Sequence, residues 1–287
     1  MIYRETGNFV TNYLKDRQII NLSFDKYFLI VFLLIMLFYV PTMSEYALSA
    51  HIIPILAVGL ATLGLNILTG LTGQLSLGTA GFMSVGAFAT YNLLLRIPED
   101  LMSLPFALLI GGIFSGLVGV IFGLPAAKIK GFYLLVSTLA AQYFVWWFFN
   151  SYAWFLNYES SGVVALPPRM YDYWGLGSFL GIDMQGYGPR YVLAFLICLG
   201  LTYFAFNLMR SNTGRSFMSV RDRDIAAGVI GIPVVKTKML AFFISCFYCG
   251  VAGGLYCFAY IGNVDLMIFE IDRSFTILFM VIIGGLG

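Results

Sequence analysis

A glycine-rich stretch between Gly59 and Gly86 contains the residue types that best suit passage of a solute. Its glycines are Gly59, Gly64, Gly70, Gly73, Gly78, Gly81 and Gly86, interleaved with uncharged polar residues. Glycine weakens a helix, but it permits tight turns and close backbone approach. Unwound backbone is tolerated at membrane depth only where it is buried in protein or lines a water-filled cavity. The stretch therefore predicts a solute path, and tight helix packing with a short loop at Gly70–Gly73 is the alternative.

The candidate path residues are the glycines and polar side chains near the middle of this stretch. They are Asn66, Gly70, Gly73, Gln74, Ser76, Gly78, Thr79, Gly81 and Ser84. Glycine-interrupted apolar segments with polar groups are the best indication from sequence of the binding site in a transporter.

The basic loop Arg210–Lys238 is the second departure from the apolar pattern, and it carries six lysines and arginines. Within it, Asp224–Pro233 predicts a short helix, which Asp222 or Asp224 can cap at its N-terminus. Gly231 and the proline that follows can end this helix.

The short helix has an apolar side formed by Ile225, Val229 and Ile232. A helix outside the membrane needs something to cover such a side. One candidate is a soluble protein at the cytoplasmic face, and the other is the surface of an anionic bilayer.

The sequence lacks the motifs of common catalytic and cofactor sites. It has no GxxxxGK[ST] phosphate loop, no HExxH and no GxSxG, and His51 is its single histidine. Cys246 and Cys249 form a CxxC, but no second pair or nearby histidine completes a zinc site. We therefore predict a protein that is not an enzyme and that needs no metal or cofactor.

The elements that position these residues are apolar helices. The 287 residues are 60% apolar and only 10% charged, whereas soluble domains carry about 25% charged residues. A spanning helix needs about 20 apolar residues. Charge-free runs occur at Tyr27–Met43, Ala47–Thr69, Leu75–Leu95, Met102–Ala126, Gly131–Asn150, Tyr191–Met209, Leu240–Gly262 and Ser274–Gly287. The runs predict an all-α, polytopic membrane protein with about eight spans, and the net charge of +2 does not indicate a nucleic-acid partner.

Because the runs contain no Asp, Glu, Lys or Arg, the spans offer no proton relay of the kind that proton-coupled carriers use. The simplest inference is that any driving energy enters from another polypeptide through the basic loop. A self-sufficient secondary carrier that binds sodium through unwound backbone carbonyls is the alternative.

The distribution of lysine and arginine predicts the orientation in the membrane. With the N-terminus in the cytoplasm, 12 of the 16 basic residues lie on the inner side. The predicted organisation is a cytoplasmic segment 1–26 and one transmembrane domain 27–287, with an outer loop 151–190 and a cytoplasmic loop 210–238. This alternation requires a reversal of the chain after the second run.

Three separated blocks of sequence resemble permease subunits of branched-chain amino-acid ABC importers. They are GLNILTGLTGQLSLGTAGFMSVGAFAT, RDRDIAAGVIGIPVVKTKMLAFFISCFYCGVAGGLY and SFTILFMVIIGGLG, in the same order as in that family. The resemblance implies a permease of the bacterial inner (plasma) membrane that works by alternating access. Its implied partners are a homologous permease subunit, two cytoplasmic ATP-binding subunits and an external solute-binding protein.

The resemblance also assigns docking onto the ATP-binding subunits to part of the basic loop. The matching residues are Arg221, Asp222, Arg223, Asp224, Ala226, Ala227, Gly228 and Gly231. Ala226 and Ala227 take the paired-alanine positions of the family, and Gly228 stands where many importers have another residue. The implied solute is a branched-chain or related hydrophobic amino acid, although urea and short-chain amide importers share this permease type. Because the family continues beyond the GGLG turn, we expect the chain to be a fragment or a truncated product.

Overall fold

The computed structural model describes residues 23–98, 102–127, 132–159, 161–166 and 186–285. The described residues form two compact units, one up to Met43 and one from Ser44 onward. Several predictions concern positions outside these ranges. They are most of the N-terminal segment 1–26, residues 167–185 of the outer loop, and two of the basic residues counted on the inner side, Lys128 and Lys130.

The first unit is one apolar helix. Helix α1, Ser23–Leu34, continues through a π-helical turn, Ile35–Tyr39, and a 3-10 turn, Val40–Thr42. Its apolar side chains are largely exposed, with Tyr27 at 70% and Phe38 at 69%. A helix that is apolar on all its faces suits a hydrocarbon surrounding.

The second unit contains nine α-helices in the described part of the chain. A short turn, Glu45–Ala47, and a π-helical turn, Leu48–Ile52, lead into the first of them. The helices are α2 Ile53–Thr72, α3 Thr79–Arg96, α4 Leu104–Ala127, α5 Phe132–Ser151, α6 Tyr187–Arg210, α7 Asn212–Asp222, α8 Asp224–Val229, α9 Val234–Leu255 and α10 Ile271–Gly284.

The strands are two short segments, one before α6 and one between α9 and α10. Strand β1, Val163–Ala165, pairs antiparallel with β2, Asn263–Asp265, and Val164 lies opposite Val264. A π-helical turn, Tyr256–Ile261, continues α9 towards β2, and a 3-10 turn, Leu266–Phe269, leads from β2 to α10.

All eight predicted apolar runs are helical over most of their described residues, which confirms the all-α class. Within those residues, five helices are long and apolar enough to cross a membrane: Phe24–Thr42, Glu45–Thr72, Leu104–Pro125, Tyr187–Arg210 and Val234–Ile261. The predicted number of spans and the cytoplasmic N-terminus stay predictions, as do the predicted domain bounds.

Helix α9 is the centre of the second unit, and 83% of the most apolar 18-residue segment of Val234–Ile261 is buried. Helices α2, α3 and α4 pack against it through glycines. A methyl group on Gly64 would lie 2.5 Å from the Cβ of Tyr248, and one on Gly112 would lie 2.6 Å from a methyl of Val251. Small residues allow this close approach, which provides dispersion contacts without any hydrophobic driving force.

The contacts also define the chain direction on both sides of the α2–α3 link, which is our name for residues 73–78. Helix α4 runs antiparallel to α9, because Gly112 lies near Val251 and Gly123 near Phe242. It also runs antiparallel to α3, since Thr90 bonds the carbonyl of Ala107 and the hydroxyl of Ser115 bonds the carbonyl of Phe82. Helix α3 therefore runs with α9.

Helix α2 runs against α9. The carbonyl of Ala61 faces the thiol of Cys249, and Gly64, one turn later, meets the carbonyl of Ser245. Because α2 and α3 run in opposite directions, the α2–α3 link is a reversal of the chain, as the predicted alternation requires.

Candidate functional site

The α2–α3 link is non-helical, as the glycine-rich stretch predicts. Helix α2 ends at Thr72, and Gly73 takes a left-handed conformation with φ of 67°. The amide of Gly73 donates to the carbonyl of Thr69 at 3.0 Å, and the amide of Gln74 donates to that of Leu68 at 3.2 Å. The bond from Gly73 to Thr69 is that of an αL helix C-cap, in which glycine is favoured because it has no Cβ to clash.

The structure brings the predicted path residues together around this link. Asn66 and Gly70 lie in α2, Gly73, Gln74, Ser76 and Gly78 lie in the link, and Thr79, Gly81 and Ser84 lie in the first turns of α3. Gln74, Ser76, Thr79 and Ser84 are buried, although their side chains are polar.

Two of these buried side chains have no hydrogen-bond partner within the described part of the chain. Both amide atoms of Gln74 and the hydroxyl of Thr79 are without one. By contrast, Ser76 accepts a bond from the amide of Gly78 at 3.3 Å, and Ser84 donates to the carbonyl of Gly81 at 2.7 Å. An unpaired buried polar group costs about 1–3 kcal/mol. The unpaired groups of Gln74 and Thr79 therefore destabilise this conformation of the protein.

A polar network that sequence reasoning missed holds the other face of the link. The amide of Ala80 donates to the hydroxyl of Ser274 at 2.9 Å, and that hydroxyl donates to Gln142 Oε1 at 2.7 Å. Gln142 donates onward to the carbonyl of Phe269 at 3.4 Å. One further bond runs from the amide of Leu77 to the Thr138 hydroxyl, 3.0 Å away. Thr138 and Gln142 stand one turn apart within a mostly apolar run. This spacing is the signal from which the sequence could have predicted the network.

The loop Arg210–Lys238, which we call the coupling loop, folds into two short helices where the sequence predicts one. Helix α7 precedes α8, and Arg223 separates them with an extended backbone at φ of −153°. The predicted cap by Asp222 or Asp224 is wrong, because no side chain caps α8. Asp224 instead pairs with Lys238 of α9, and the nitrogen and oxygen are 3.6 Å apart. Helix α8 ends at Val229, before the predicted end, and Gly231 follows at φ of 90°.

Helix α8 and the residue that follows it have one side chain turned into the chain and three large apolar side chains turned out. Ala227 is buried, whereas Ile225, Val229 and Ile230 are 77%, 83% and 73% exposed. Of the other predicted docking residues, Ala226 and Gly228 are exposed, and Asp222 pairs with Arg221 at 3.4 Å. The outward apolar side of α8 is therefore uncovered by the described part of the chain.

Arg221 joins the coupling loop to the α2–α3 link. Its guanidinium donates to the carbonyl of Gly70 at 2.7 Å. Its side chain also lies against Gly73, where a Cβ would be 3.2 Å from the Arg221 Cγ. The last carbonyls of a helix have no partner within it and carry partial negative charge, so a cation there is favourable. One side chain thus connects the two regions that the sequence singles out.

The described residues contain no group of three or more His, Cys, Asp or Glu side chains that could hold a metal ion. Cys198, Cys246, Cys249 and Cys257 are buried as free thiols. The polar groups of this site can donate and accept hydrogen bonds, and most of them carry no charge.

The sequence that carries this geometry is similar to that of known transport proteins. Residues 47–287 match the family model described as "Branched-chain amino acid transport system / permease component". Two relatives are named "High-affinity branched-chain amino acid transport system permease protein LivM", from Salmonella typhimurium strain LT2 and Escherichia coli strain K12. Each is 29% identical over 78% of this chain and 55% of its own length. The chain thus spans about half the length of the curated relatives it matches. No solved structure matches it significantly.

Proposed function

The chain belongs to the family of branched-chain amino acid transport permease components, and from this premise we propose that it is the membrane subunit of an ATP-driven importer. The solute is a branched-chain or related hydrophobic amino acid. The partners are a homologous permease, two cytoplasmic ATP-binding subunits and an external solute-binding protein. As a multi-pass protein, the chain lies in the inner membrane.

The observation that carries this proposal is the contact of Arg221 with Gly70 and Gly73. A permease whose apolar runs contain no Asp, Glu, Lys or Arg needs a mechanical connection between its energy source and its solute path. The coupling loop presents an apolar side for a soluble subunit, and Arg221 attaches the same loop to the link with the buried polar residues. Movement of α8 therefore pulls on the end of α2.

The proposed mechanism is alternating access. Closure of the ATP-binding subunits shifts α7 and α8, and the α2–α3 link changes its packing against α5 and α10. The orphan groups of Gln74 and Thr79 then find partners in the solute or in water. ATP drives this change only because the subunits bind one state better than the other.

Uptake of labelled leucine tests the proposal. The chain, its sister permease, both ATP-binding subunits and the solute-binding protein are reconstituted together in proteoliposomes. We expect uptake that requires ATP and the binding protein. Uptake by the chain alone with an ion gradient would instead show a secondary carrier, and uptake of urea but not leucine would assign the amide branch.

Val229→Asp is expected to reduce co-purification of the ATP-binding subunits about tenfold or more. Burying a valine contributes about 1.5–3 kcal/mol, and a factor of ten corresponds to about 1.4 kcal/mol. Val229 is chosen because it is 83% exposed, whereas an acidic residue at the buried Ala227 would disturb the packing of α8 itself.

Val235→Asp is the matched control for this prediction, because Val235 is also exposed but lies in the first turn of α9. We expect that variant to retain the subunits. Equal recovery with Val229→Asp and with the unchanged chain would remove α8 as the docking surface.

Gln74→Leu is expected to raise thermal stability in detergent while lowering uptake a few-fold. The substitution removes two unpaired buried amide atoms, so the folded state loses a penalty of about 1–3 kcal/mol. The solute path loses one polar contact, which is worth about 1 kcal/mol.

Gln142→Leu provides the comparison, because both amide atoms of that buried glutamine have partners, in Ser274 and Phe269. It is expected to lower thermal stability. If Gln74→Leu left uptake kinetics unchanged, Gln74 would not belong to the path.

A further inference from the structure

An apolar cleft of about 510 Å³ lies between α3, α4, α5 and residues 151–159. Seven of its 17 lining residues are phenylalanines. Phe88 and Phe149 stack at 4.7 Å, which joins α3 to α5 at the base of the cleft. Phe122 and Phe144, 5.6 Å apart, join α4 to α5 at one end. The cleft is therefore a built space between three helices.

Two of the 17 lining residues are polar, and both lie at the other end of the cleft. Asn92 and Arg96 stand one turn apart at the end of α3. The Arg96 guanidinium donates to Asn92 Oδ1 and to the carbonyl of Trp154 at 3.0 Å. It also lies 3.6 Å from the centre of the Trp154 ring. These contacts hold one positive charge at the mouth, and they use two of the five N–H donors of the group.

The chemistry of the cleft excludes most occupants. Water needs two to four polar partners, which the phenylalanine walls do not provide. A zwitterionic amino acid would bury its ammonium group unpaired among apolar side chains, at a large cost. Phe114, Ile121 and Phe144 at the rim are 48%, 64% and 49% exposed, so the opening faces the surroundings of an apolar helix bundle. The fitting occupant is a flexible hydrocarbon chain with one anionic end.

We infer that this cleft binds one acyl chain of an anionic phospholipid, and that Arg96 binds the lipid phosphate. The acyl chain of the lipid lies along α3 between α4 and α5, and the lipid headgroup lies at Trp154. This inference does not depend on the transported solute or on the ATP-binding partners.

Trp154 provides a probe within the cleft. Trp146, Trp147 and Trp174 are changed to phenylalanine, and the full chain is placed in phosphatidylcholine vesicles. Two brominated lipids are tested in separate samples, each as a small fraction of the vesicle. One is phosphatidylglycerol and the other is phosphatidylcholine, and both carry bromine on their acyl chains, because bromine quenches nearby tryptophan. At equal mole fraction, we expect about fivefold tighter association of the phosphatidylglycerol, from one basic residue beside an anionic headgroup.

Two variants separate the charge from the cleft. Arg96→Gln is expected to remove the preference while both lipids still quench weakly. Ala89→Phe, which fills the cleft from α3, is expected to remove specific quenching by both. Arg190→Gln is the control, since Arg190 is also an arginine near a helix end beside an aromatic ring, that of Tyr187 at 5.2 Å. It should retain the preference.

Folding is checked for each variant by size-exclusion chromatography. An unchanged preference in Arg96→Gln would overturn the role of the charge. Unchanged quenching in Ala89→Phe would overturn the site itself, as would absence of quenching in the unsubstituted cleft, the result expected if a neighbouring protein chain covers it. A fatty acid competing better than phosphatidylglycerol would overturn the assignment to phospholipid.

Discussion

Gly86→Ala is expected to abolish most recovery of folded protein, because α3 and α9 touch at their backbones there. A Cβ on Gly86 would lie 2.2 Å from the carbonyl oxygen of Gly250, and one on Gly253 would lie 2.1 Å from that of Met83. Neither backbone can rotate away as a flexible side chain could. Overpacking of a core commonly costs about 1–3 kcal/mol, and a clash with backbone belongs at or above the upper end.

The measurement is the yield of monodisperse protein in detergent, together with its unfolding temperature. Gly200→Ala is the control, since a Cβ at Gly200 of α6 meets nothing within 4 Å. There alanine should be neutral or slightly stabilising, because glycine costs a helix about 1 kcal/mol relative to alanine. Similar yields of the two variants would contradict the packing of α3 on α9.

Arg221→Gln is expected to lower amino-acid uptake about 10- to 100-fold while the ATP-binding subunits remain attached. The substitution removes a charge-assisted hydrogen bond to Gly70, and such bonds contribute about 1.5–3 kcal/mol. The side chain contacts α2 and the link rather than the exposed side of α8. ATP hydrolysis by the assembled importer should therefore continue while transport falls.

Arg215→Gln is the matched control, because Arg215 lies in the same loop and bonds Asn212 within its own helix. Its uptake should be close to that of the unchanged chain. Arg221→Lys should restore part of the uptake, because the positive charge at the helix end returns without the planar guanidinium. If Arg221→Gln transported normally, energy would reach the path by another contact.

The same residues explain which parts of the coupling loop the sequence could predict. The helix after Asp224 was predictable from its glycine and apolar residues. Helix α7 was missed because NTGRSFMSVRD contains no apolar run, and its buried residues are only Gly214, Phe217 and Val220. Their spacing of three residues was a signal of one packed face. Ala227 is buried and Ile225 and Val229 are exposed because of the position of α9 beside α8. The spacing of residues within the loop does not determine that position.

The helices follow from the apolar runs alone, because a backbone in hydrocarbon must satisfy its own hydrogen bonds. The break near Gly73 also follows from the sequence, because the left-handed backbone at Gly73 favours glycine. Which groups meet at this break depends on tertiary packing. Arg221 reaches Gly70 from 151 residues away, and Ser274 reaches Ala80 from 194 residues away. Such pairs form because helices from distant parts of the chain pack around α9, and the side chains that meet depend on rotation and depth that local patterns do not encode.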